Sequence, residues 1–367
     1  MSKIRLAVIG VGHLGQIHAR LLAQVAGAEL VGIVDPSESA RVGIAAELKV
    51  AAYADHKPLL DKINAAIIAT PSRLHHAVAH DLLAHGIHVF VEKPVTLNVG
   101  DADDLIAEAS RGGLVLQVGH VERFNPAFLA AAPLLADPKY IDAVRSGPFT
   151  CRSTDIGVVL DLMIHDLDIV LSLVQDELIS VQSLGAAVLG PNEDWAQARL
   201  TFAGGCVANL FASRVAWQAQ RLMQVVSRES NTVIDFAARQ AKQMRTNPLL
   251  ADEPLNVNHL DSAARKHVKD HLFTDYLPLT DLPVAESNPL LEEQRAFVAA
   301  IRGEASVRVS GTDGRRALDV AERILAGIAA HRWDGIAAGA IGPRFETRES
   351  ILRGPHWRQR VLHRKAG

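Results

Sequence analysis

The sequence predicts an α/β protein in which a doubly wound parallel sheet is followed by a second, α+β domain with an open, largely antiparallel sheet. Apolar runs of strand length alternate with helical patterns as far as about residue 124, which is typical of a parallel sheet covered on both faces. Beyond that point, extended stretches follow one another without intervening helices, and this indicates antiparallel pairing. The chain has 367 residues, enough for two hydrophobic cores.

The first strand, turn and helix carry the pattern Gly-x-Gly-x-x-Gly. The apolar run at 4–9 ends at Gly10, and a helical pattern follows Gly15. In such a turn the first glycine permits the tight bend, the second lets the backbone approach a pyrophosphate, and the third lets the helix pack closely on the strand. The helix N-terminus also attracts phosphate. We therefore predict a dinucleotide site at Gly10, Gly12, His13, Leu14 and Gly15.

A second apolar run, at 30–34, ends at Asp35, about 20 residues after the last glycine of the turn. An acidic side chain at this place accepts hydrogen bonds from ribose hydroxyls and repels a 2′-phosphate. The sequence therefore predicts NAD rather than NADP, although Arg41 on the following helix is placed to reach a phosphate. A glycine turn with a helix-capping Asp in some other α/β protein is the alternative.

The other elements of the first domain continue the alternation, and ligands of such sheets bind where the strands end. Thr70 and Pro71 follow a strand predicted over 65–69, and Glu92 and Lys93 follow one over 88–91, so all four residues are candidates for the cofactor site. Helices are predicted over 38–48, 74–83 and 101–110, with Ser72 capping the second and Gly86 stopping it, and a last strand over 114–118.

The second domain begins near Asn125 with a helical segment and contains a strongly apolar helix. An Arg-rich tail closes the chain and is interpreted as solvated or as a dimer contact. We predict a dinucleotide-binding domain over 1–124, a substrate-binding and oligomerisation domain over 125–343, and the tail over 344–367. Within the second domain, helices are predicted at 158–173, 290–301 and 315–330, strands at 179–189, 195–202, 206–215 and 222–236, and an irregular excursion at 239–283.

Composition excludes several classes of protein. The formal net charge of −3 gives no reason to expect nucleic acid. Cys151 and Cys206 are the only cysteines, so no disulfide framework is indicated and a reducing compartment is expected. The apolar start is shorter than a signal sequence and runs straight into the glycine turn, and no apolar run reaches membrane-spanning length. We expect a cytoplasmic protein that is not inserted into a membrane.

Lys93 is the first candidate for catalysis. A lysine that ends a buried strand is uncommon unless it has a partner. A neighbouring carboxylate such as Glu92 favours the ammonium form, whereas burial opposes it. Lys93 can therefore donate a hydrogen bond to a substrate or, if its proton is labile, take part in a proton relay. The alternative is a lysine that extends from the strand end into solvent.

The second candidate is the polar stripe Asp161, His165 and Asp168 in the apolar helix. Spacings of four and three residues place the three on one helix face. Such a stripe is costly inside a protein unless it lines a cavity or is fully paired. A neutral His165 can accept a proton while an Asp fixes its tautomer. A buried polar network between the domains is the alternative, and a metal is not predicted because no further ligand cluster converges there.

Five histidines between residues 75 and 88 look like a metal tract. Most are better explained as polar positions beside the apolar face of an amphipathic helix. We retain His75 alone, because it follows Thr70 and Pro71 at the strand end where a nicotinamide would lie.

Four segments together resemble the glucose-fructose oxidoreductase/inositol dehydrogenase family, Gfo/Idh/MocA. They are 10–15, 70–75, 86–94 with Glu-Lys-Pro, and 161–165 with Asp-x-x-x-His. The resemblance implies an N-terminal Rossmann domain, a C-terminal α/β domain whose open sheet commonly forms the oligomer contact, and a nicotinamide cofactor. It further implies oxidation or reduction of a sugar or polyol carbinol, with Lys93, Asp161 and His165 at the catalytic positions. A homodimer or homotetramer is expected.

Within the family, segments 119–127 and 161–168 look most like those of members that act on nucleotide sugars. This resemblance implies oxidation at C3 of UDP-N-acetylglucosamine, which supplies a 3-keto sugar for amination to the diamino sugar of some lipid A molecules. A diphosphate requires donors, and Arg grips phosphate oxygens in two-pronged fashion. The predicted substrate-binding residues are His120, Arg123, Asn125, Arg152, Ser153, Asp161 and His165.

Two alternatives to this function remain open from the sequence. One is a dehydrogenase or reductase of a free sugar, inositol or another small carbonyl compound. The other is of a different class, a non-catalytic nucleotide sensor with the same fold. For Arg123 the alternative role is to pair with Glu122 or another acidic group and only tie the domains together.

Overall fold

The computed structural model describes residues 3–151, 155–247, 250, 255–334 and 339–344. Arg152 and Ser153, two of the predicted substrate-binding residues, lie outside the described residues, as does the tail beyond Arg344. Among the residues described, no helix combines the length and the apolar character needed to cross a membrane.

The first domain contains a parallel sheet, as the sequence predicts, with six strands rather than the five predicted. Apolar side chains fill its strands, and all four residues of the fourth strand are buried. The strands are β1 (Ile4–Ile9), β2 (Ala28–Val34), β3 (Ala51–Tyr53), β4 (Ala65–Ile68), β5 (His88–Glu92) and β6 (Leu116–Gly119). Their order in the sheet is β3-β2-β1-β4-β5-β6, so the direction of winding reverses between β1 and β4. A ligand crevice is expected at this reversal, outside the carboxyl ends of the strands.

Four helices cover this sheet: α1 (His13–Leu22), α2 (Glu38–Leu48), α3 (His75–Ala84) and α4 (Val99–Gly112). Asn98 caps α4, because its side chain accepts a hydrogen bond of 2.9 Å from the Asp101 amide. The prediction that Ser72 caps α3 is wrong. A 3₁₀ turn over Ser72–Leu74 separates Ser72 from the helix, and no side chain caps α3.

The second domain is built on an eight-stranded sheet. Its strands are β7 (Tyr140–Ser146), β8 (Leu178–Ala186), β9 (Trp195–Phe202), β10 (Val207–Ser213), β11 (Gln220–Val226), β12 (Ser230–Asp235), β13 (Gln240–Arg245) and β14 (Leu279–Asp281). The order is β14-β13-β12-β11-β7-β10-β9-β8, and every pair is antiparallel except β7 with β10. The sheet is therefore largely antiparallel, as predicted.

Two predictions about this sheet need correction. The extended stretch at 222–236 is not one strand but the hairpin of β11 and β12. The segment at 239–283 is not wholly irregular, because it contributes β13 and β14 to the edge of the sheet. Strand β13 is difficult to recognise in the sequence because most of its residues are polar. Only Ala241 and Gln243 of its six residues are buried. The buried side-chain amide of Gln243 donates a hydrogen bond of 3.1 Å to the Thr232 hydroxyl.

The helices of the second domain are α5 (Pro126–Ala131), α6 (Ile164–Leu173), α7 (Ser262–Asp270), α8 (Pro289–Ile301) and α9 (Gly311–Ala330). Helices α6 and α9 pack against each other, and α9 also contacts β8, α4 and β6. Helix α8 returns to the first domain, where Phe297 packs on Phe90 with ring centroids 5.8 Å apart. This contact belongs to a smaller core, while a separate and larger core also extends from the parallel sheet into the second domain.

Candidate active site

The glycine turn after β1 is shaped for a close approach by phosphate. Gly10 has φ +87°, and a Cβ there would lie 2.6 Å from the Ala69 carbonyl oxygen. A Cβ on Gly15 would overlap the Gly10 carbonyl, whereas the same atom on Gly12 would meet nothing within 4 Å. The turn therefore leaves open space in front of the first turn of α1, which begins at His13. These features fit the pyrophosphate of a dinucleotide.

Asp35 lies directly after β2 and beside this turn. Its two carboxylate oxygens accept hydrogen bonds from the Val11 amide at 3.0 Å and the Ser37 amide at 2.8 Å. Arg41 donates to the carbonyl oxygens of Asp35 and Pro36 at 3.2 and 2.9 Å. The backbone thus fixes both side chains at the strand end where the ribose of a dinucleotide is expected.

Two adjoining cavities follow the carboxyl ends of β4 and β5. The smaller encloses about 280 Å³, and the larger, of about 390 Å³, extends toward the second sheet. Leu14, Glu92 and Lys93 line both. The smaller cavity is also lined by Thr70, Pro71 and Asp161, and the larger by His165, Asn125, Arg221, Arg239 and Asn288. The structure therefore brings together the three catalytic candidates at one cleft between the domains.

Lys93 is paired with Asp161 across this cleft. The Lys93 ammonium donates to the Asp161 carbonyl oxygen at 2.7 Å and to its carboxylate at 2.9 Å. The two side chains remain 16% and 19% exposed, so the pair is accessible from the cleft. Asp161 belongs to a π-helical turn over Val159–Met163 that leads into α6. Such turns are rare and occur frequently at functional sites.

His165 lies one turn further along, at the start of α6. Burial lowers the pKa of His165 well below its usual value, and the nearby Lys93 ammonium lowers it further. The imidazole is therefore neutral near pH 7 and can accept a proton. Its Nδ1 is buried and has no hydrogen-bond partner among the described residues, so no Asp fixes the tautomer through a described contact.

The other acidic residues of α6 form a buried ionic network beneath the site. Arg145 on β7 donates to Asp166 at 2.9 and 2.8 Å and to Glu122 at 2.6 Å. Asp168 lies 3.5 Å from Arg123, and burial raises the pKa of Asp168 to about 7. A buried polar network between the domains therefore exists. Asp168 of the predicted stripe belongs to it, together with Asp166, whereas Asp161 and His165 line the cleft.

His75, His120 and Arg123, all predicted to contact cofactor or substrate, do not line either cavity. His75 is 1% exposed, with its ring nitrogens 2.7 Å from the Pro94 carbonyl and 2.9 Å from the Thr70 carbonyl. His120 is fully buried behind His165 at a centroid distance of 6.1 Å, and burial lowers its pKa to about 3. Arg123 faces Asp168. Their contacts with a cofactor or substrate stay predictions.

Asn125 reaches the larger cavity, but its polar atoms are engaged by the protein. Its amide nitrogen donates to Glu122 at 2.9 Å and to the Phe236 carbonyl at 3.1 Å. Its amide oxygen caps α5 by accepting from the Ala127 amide at 3.1 Å. The role best supported by these contacts is to shape the wall of the cavity.

Glu92 joins the site to the first helix. It is 6% exposed and lies 2.7 Å from Nε2 of His18. The amide nitrogen of Gln294 donates to Nδ1 of His18 at 2.8 Å, which leaves the His18 proton on Nε2, directed at Glu92. These contacts fix the position of Glu92, which precedes Lys93 in the sequence.

Two arginines at the larger cavity were not predicted from the sequence. Arg221 lies on β11 and Arg239 just before β13. Neither forms an ion pair with a residue in the described part of the chain, although Arg239 donates to the Ser287 carbonyl at 3.2 Å. Arg221 is close enough that its charge lowers the pKa of His165. No sequence motif marks either residue, and only the strand pairing brings them to the cleft.

Comparison with known proteins agrees with this geometry. The profile described as "Oxidoreductase family, NAD-binding Rossmann fold" matches residues 4–120. The profile of the GFO/IDH/MocA C-terminal domain matches residues 136–231. The glycine turn, the Lys93 position and the Asp161–His165 segment thus fall in two matched domains of one family.

Individual relatives are dehydrogenases. UDP-N-acetylglucosamine 3-dehydrogenase of Acidithiobacillus ferrooxidans is 40% identical over 238 residues, which cover 64% of this chain and 75% of the relative. Its solved structure has a TM-score of 0.78 and 32% identity, covering 89% of this chain and 98% of that one. The NAD-dependent scyllo-inositol 2-dehydrogenase of Bacillus subtilis is 30% identical over 233 residues, 58% of this chain and 68% of the relative. The chain is therefore an oxidoreductase that acts on CH–OH groups and belongs to the Gfo/Idh/MocA family of NAD-binding enzymes.

Proposed function

We propose that the enzyme uses NAD to oxidise C3 of a UDP-linked N-acetylhexosamine, most simply UDP-N-acetylglucosamine. The observation that carries this proposal is the larger cavity, in which Arg221 and Arg239 lie near His165 and Lys93. A cavity with proton-transfer groups on one side and two arginines on the other suits a sugar joined to a diphosphate. The 40% identical relative, named for this activity, supports the same substrate.

When bound, NAD would supply the hydride acceptor for the sugar carbon. The turn at Gly10, Gly12 and Gly15 would hold its pyrophosphate, and Asp35 its ribose. His165 accepts the hydroxyl proton, because its lowered pKa keeps it neutral. Lys93 donates a hydrogen bond to the developing alkoxide, and Asp161 positions the Lys93 ammonium. The roles of His165 and Lys93 can also be exchanged, with Lys93 relaying the proton.

Substrate specificity would come from contacts remote from the reacting carbon. Binding energy from a diphosphate can hold the sugar ring with its C3 hydrogen directed at the cofactor. In the described structure Arg123 and Asn125 are already engaged by protein groups, so we assign the main phosphate contacts to Arg221 and Arg239. The proposed 3-keto product is a substrate for amination, as the lipid A diamino sugar requires.

Replacing Arg221 or Arg239 by glutamine is expected to raise KM for the nucleotide sugar about 10- to 100-fold with a smaller change in kcat. This is the effect of losing a charged hydrogen bond worth about 1.5–3 kcal/mol. Steady-state kinetics of NADH formation measure it. Arg228→Gln is the matched control, because Arg228 is an exposed arginine between β11 and β12 that does not line the site. Unchanged KM in both site variants would contradict the assignment.

The substrate itself is tested by supplying UDP-N-acetylglucosamine, free N-acetylglucosamine and myo-inositol with NAD in parallel. An aminotransferase or another keto trap should be present, because the 3-keto product can be unfavourable at equilibrium. A free-sugar or inositol dehydrogenase is the second candidate, favoured by the similarity to scyllo-inositol 2-dehydrogenase. Faster turnover of either unphosphorylated compound would replace the first proposal by the second.

We expect NAD to bind at least about 10-fold more tightly than NADP. The Asp35 carboxylate would repel a 2′-phosphate, and the backbone holds it in place through two hydrogen bonds. Fluorescence titration with both reduced cofactors measures the ratio. Asp35→Ser should reduce this preference for NAD over NADP. Arg41→Ala should make NADP binding weaker than it is in the unaltered enzyme. Tighter binding of NADP to the unaltered enzyme would refute the assignment.

Self-association of two or four copies through the second sheet also stays a proposal. The sheet face away from α6 and α9 carries exposed apolar side chains on neighbouring strands. Phe211 and Leu222 both pair with Val144 of β7 in register, and Val233 is the strand neighbour of Gln224. Their exposed fractions are 37% for Phe211, 36% for Leu222 and 40% for Val233, which supports a covered face in an oligomer. The cytoplasmic location remains a prediction.

A further inference from the structure

A cluster of two histidines and an aspartate lies on the segment between β13 and β14. His267 is in the last turn of α7, His271 follows this helix, and Asp275 belongs to the π-helical turn Leu272–Tyr276. One ring nitrogen of each histidine and a carboxylate oxygen of Asp275 lie within 4.8 Å of one another. We propose that these three side chains bind a divalent transition-metal ion, with Zn²⁺ as the ion of choice.

The backbone places the three ligands on one face. His267 and His271 are four residues apart on successive helical turns, and their rings stack with centroids 4.2 Å apart and planes at 16°. Four residues later, the wider π-helical turn brings Asp275 beneath His271, and the Asp275 amide donates to the His271 carbonyl at 2.9 Å. A tetrahedral zinc ion holds its ligands at about 2.0–2.2 Å. Small rotations of these exposed side chains are enough to close around it.

The hydrogen bonds of the two histidine rings involve their Nδ1 atoms and leave their Nε2 atoms free to bind an ion. Nδ1 of His271 lies 3.0 Å from the His267 carbonyl oxygen, an acceptor that requires the proton to be on Nδ1. Nδ1 of His267 lies 3.4 Å from the Tyr276 hydroxyl, which can accept in the same way. Histidines that bind metal usually donate their other ring N–H to an oxygen. The lone pair on Nε2 of each ring is then available to the ion.

The site is anchored to the sheet. Asn247, two residues after β13, donates its side-chain amide to the Asp275 carbonyl at 2.7 Å and its backbone amide to the Tyr276 carbonyl at 3.0 Å. At the other end, the Asp261 side chain caps α7 by accepting from the Ala264 amide at 2.8 Å. A cation near the C-terminus of α7 is also favoured by the helix dipole. The ligands are thus partly preorganised before any metal binds.

The two imidazole ligands determine which class of metal ion the site can bind. Imidazole ligands suit Zn²⁺, Cu²⁺ and Ni²⁺, whereas Mg²⁺ and Ca²⁺ require more oxygen ligands. Three protein ligands leave one position for water. The ligands are exposed and Lys266 and Lys269 lie beside them, so we expect a dissociation constant on the order of 1 μM rather than the tighter binding of a buried structural zinc.

The test uses the full chain without a polyhistidine tag, stripped of metal by a chelator and titrated calorimetrically with Zn²⁺. We expect one ion per chain, and affinity reduced about 10-fold or more by His267→Ala or by His271→Ala. The control is the double variant His76→Ala, His80→Ala, another pair four residues apart. Its rings are 5.8 Å apart at 45°, and both Nε2 atoms are turned to Asp104, so zinc binding should be unchanged.

A spectroscopic measurement separates loss of the site from loss of folding. Co²⁺ should give visible ligand-field absorption in the unaltered enzyme and in the His76/His80 variant, and none in the His267 or His271 variants, while circular dichroism stays the same in all. The proposal is overturned if no Zn²⁺ binds, if binding persists in the His267 and His271 variants, or if the His76/His80 variant loses it. Turnover should not change, because Arg239 and the active site lie at the start of β13, whereas the segment that carries the cluster begins at its other end. The strand between these two ends is about 20 Å long.

Discussion

Replacing Lys93 by methionine is expected to lower kcat by about 100-fold or more while NAD binding stays nearly unchanged. Methionine keeps much of the side-chain volume but cannot donate a hydrogen bond to a developing alkoxide. The Lys93 ammonium is held by Asp161 at 2.7 and 2.9 Å and faces both cavities, so the substitution removes a preorganised donor. Steady-state turnover and fluorescence titration with NADH measure the two quantities.

Lys57→Met is the matched control, because Lys57 is an exposed lysine of the same domain. It should turn over normally. Near-normal kcat in the Lys93 variant would return this residue to a structural role at the strand end. An equally large loss of NADH affinity would indicate that Lys93 mainly organises the cofactor site rather than the transition state.

The Lys93→Met variant should also differ from the unaltered enzyme in the pH dependence of its activity. The positive charge of Lys93 is one of the causes, after burial, of the low pKa of His165. Removing that charge should raise the pKa of His165 toward its ordinary value. His165 must be neutral to accept a proton, so the residual activity of the variant should be lost at a higher pH on acidification than that of the unaltered enzyme.

The catalytic candidates could be predicted from the sequence because each is marked locally. Lys93 ends a strand whose apolar run is evident, and Asp161 and His165 interrupt an otherwise apolar helix. The rule that parallel strands present ligands at their carboxyl ends places Lys93 at the cleft, and packing of the second domain against this edge brings Asp161 and His165 to it. The resemblance to a known family supplied their roles. No local pattern, however, distinguishes the π-helical turn at Asp161 from an ordinary α-helical turn.

The proposed phosphate-binding residues could not be predicted in the same way. Arg123 and Asn125 follow the last strand of the parallel sheet, but their partners, Asp168 and the Phe236 carbonyl, are remote in sequence. Whether an arginine is engaged or free depends on such remote contacts. Arg221 and Arg239 reach the cleft because β7 lies between β10 and β11, and the start of β11 and the β12–β13 turn then line the larger cavity with His165. Sequence spacing contains no signal for that insertion.

Edge strands were missed for a related reason. Strand β13 pairs with β12 along six positions, yet half of its side chains are exposed and polar. Backbone hydrogen bonds to a neighbouring strand, rather than side-chain burial, define such a strand. Hydrophobic patterns therefore fail there, although they correctly predict β1, β2, β4, β5 and β6 of the first sheet and β8, β9 and β10 of the second.

Replacing His165 by alanine is the second change with a large expected effect, a fall in kcat of about 100-fold or more with NAD affinity nearly intact. The imidazole lines the larger cavity with Lys93, and its lowered pKa keeps it neutral and able to accept a proton. Without it the hydroxyl proton loses its proposed acceptor. Turnover, NADH titration and the pH dependence of kcat/KM test this role.

The pH dependence distinguishes catalysis from packing. Burial lowers the pKa of His165 below 6.5, so in the unaltered enzyme the loss of activity that reports its protonation should lie below that pH. That acidic limb should disappear in His165→Ala, because the remaining slow reaction no longer depends on the neutral imidazole. His85→Asn, at an exposed histidine of α3's C-terminal end, should retain both rate and limb. An unchanged limb in His165→Ala would assign the titration to another group and leave Lys93 as the proton-transfer residue.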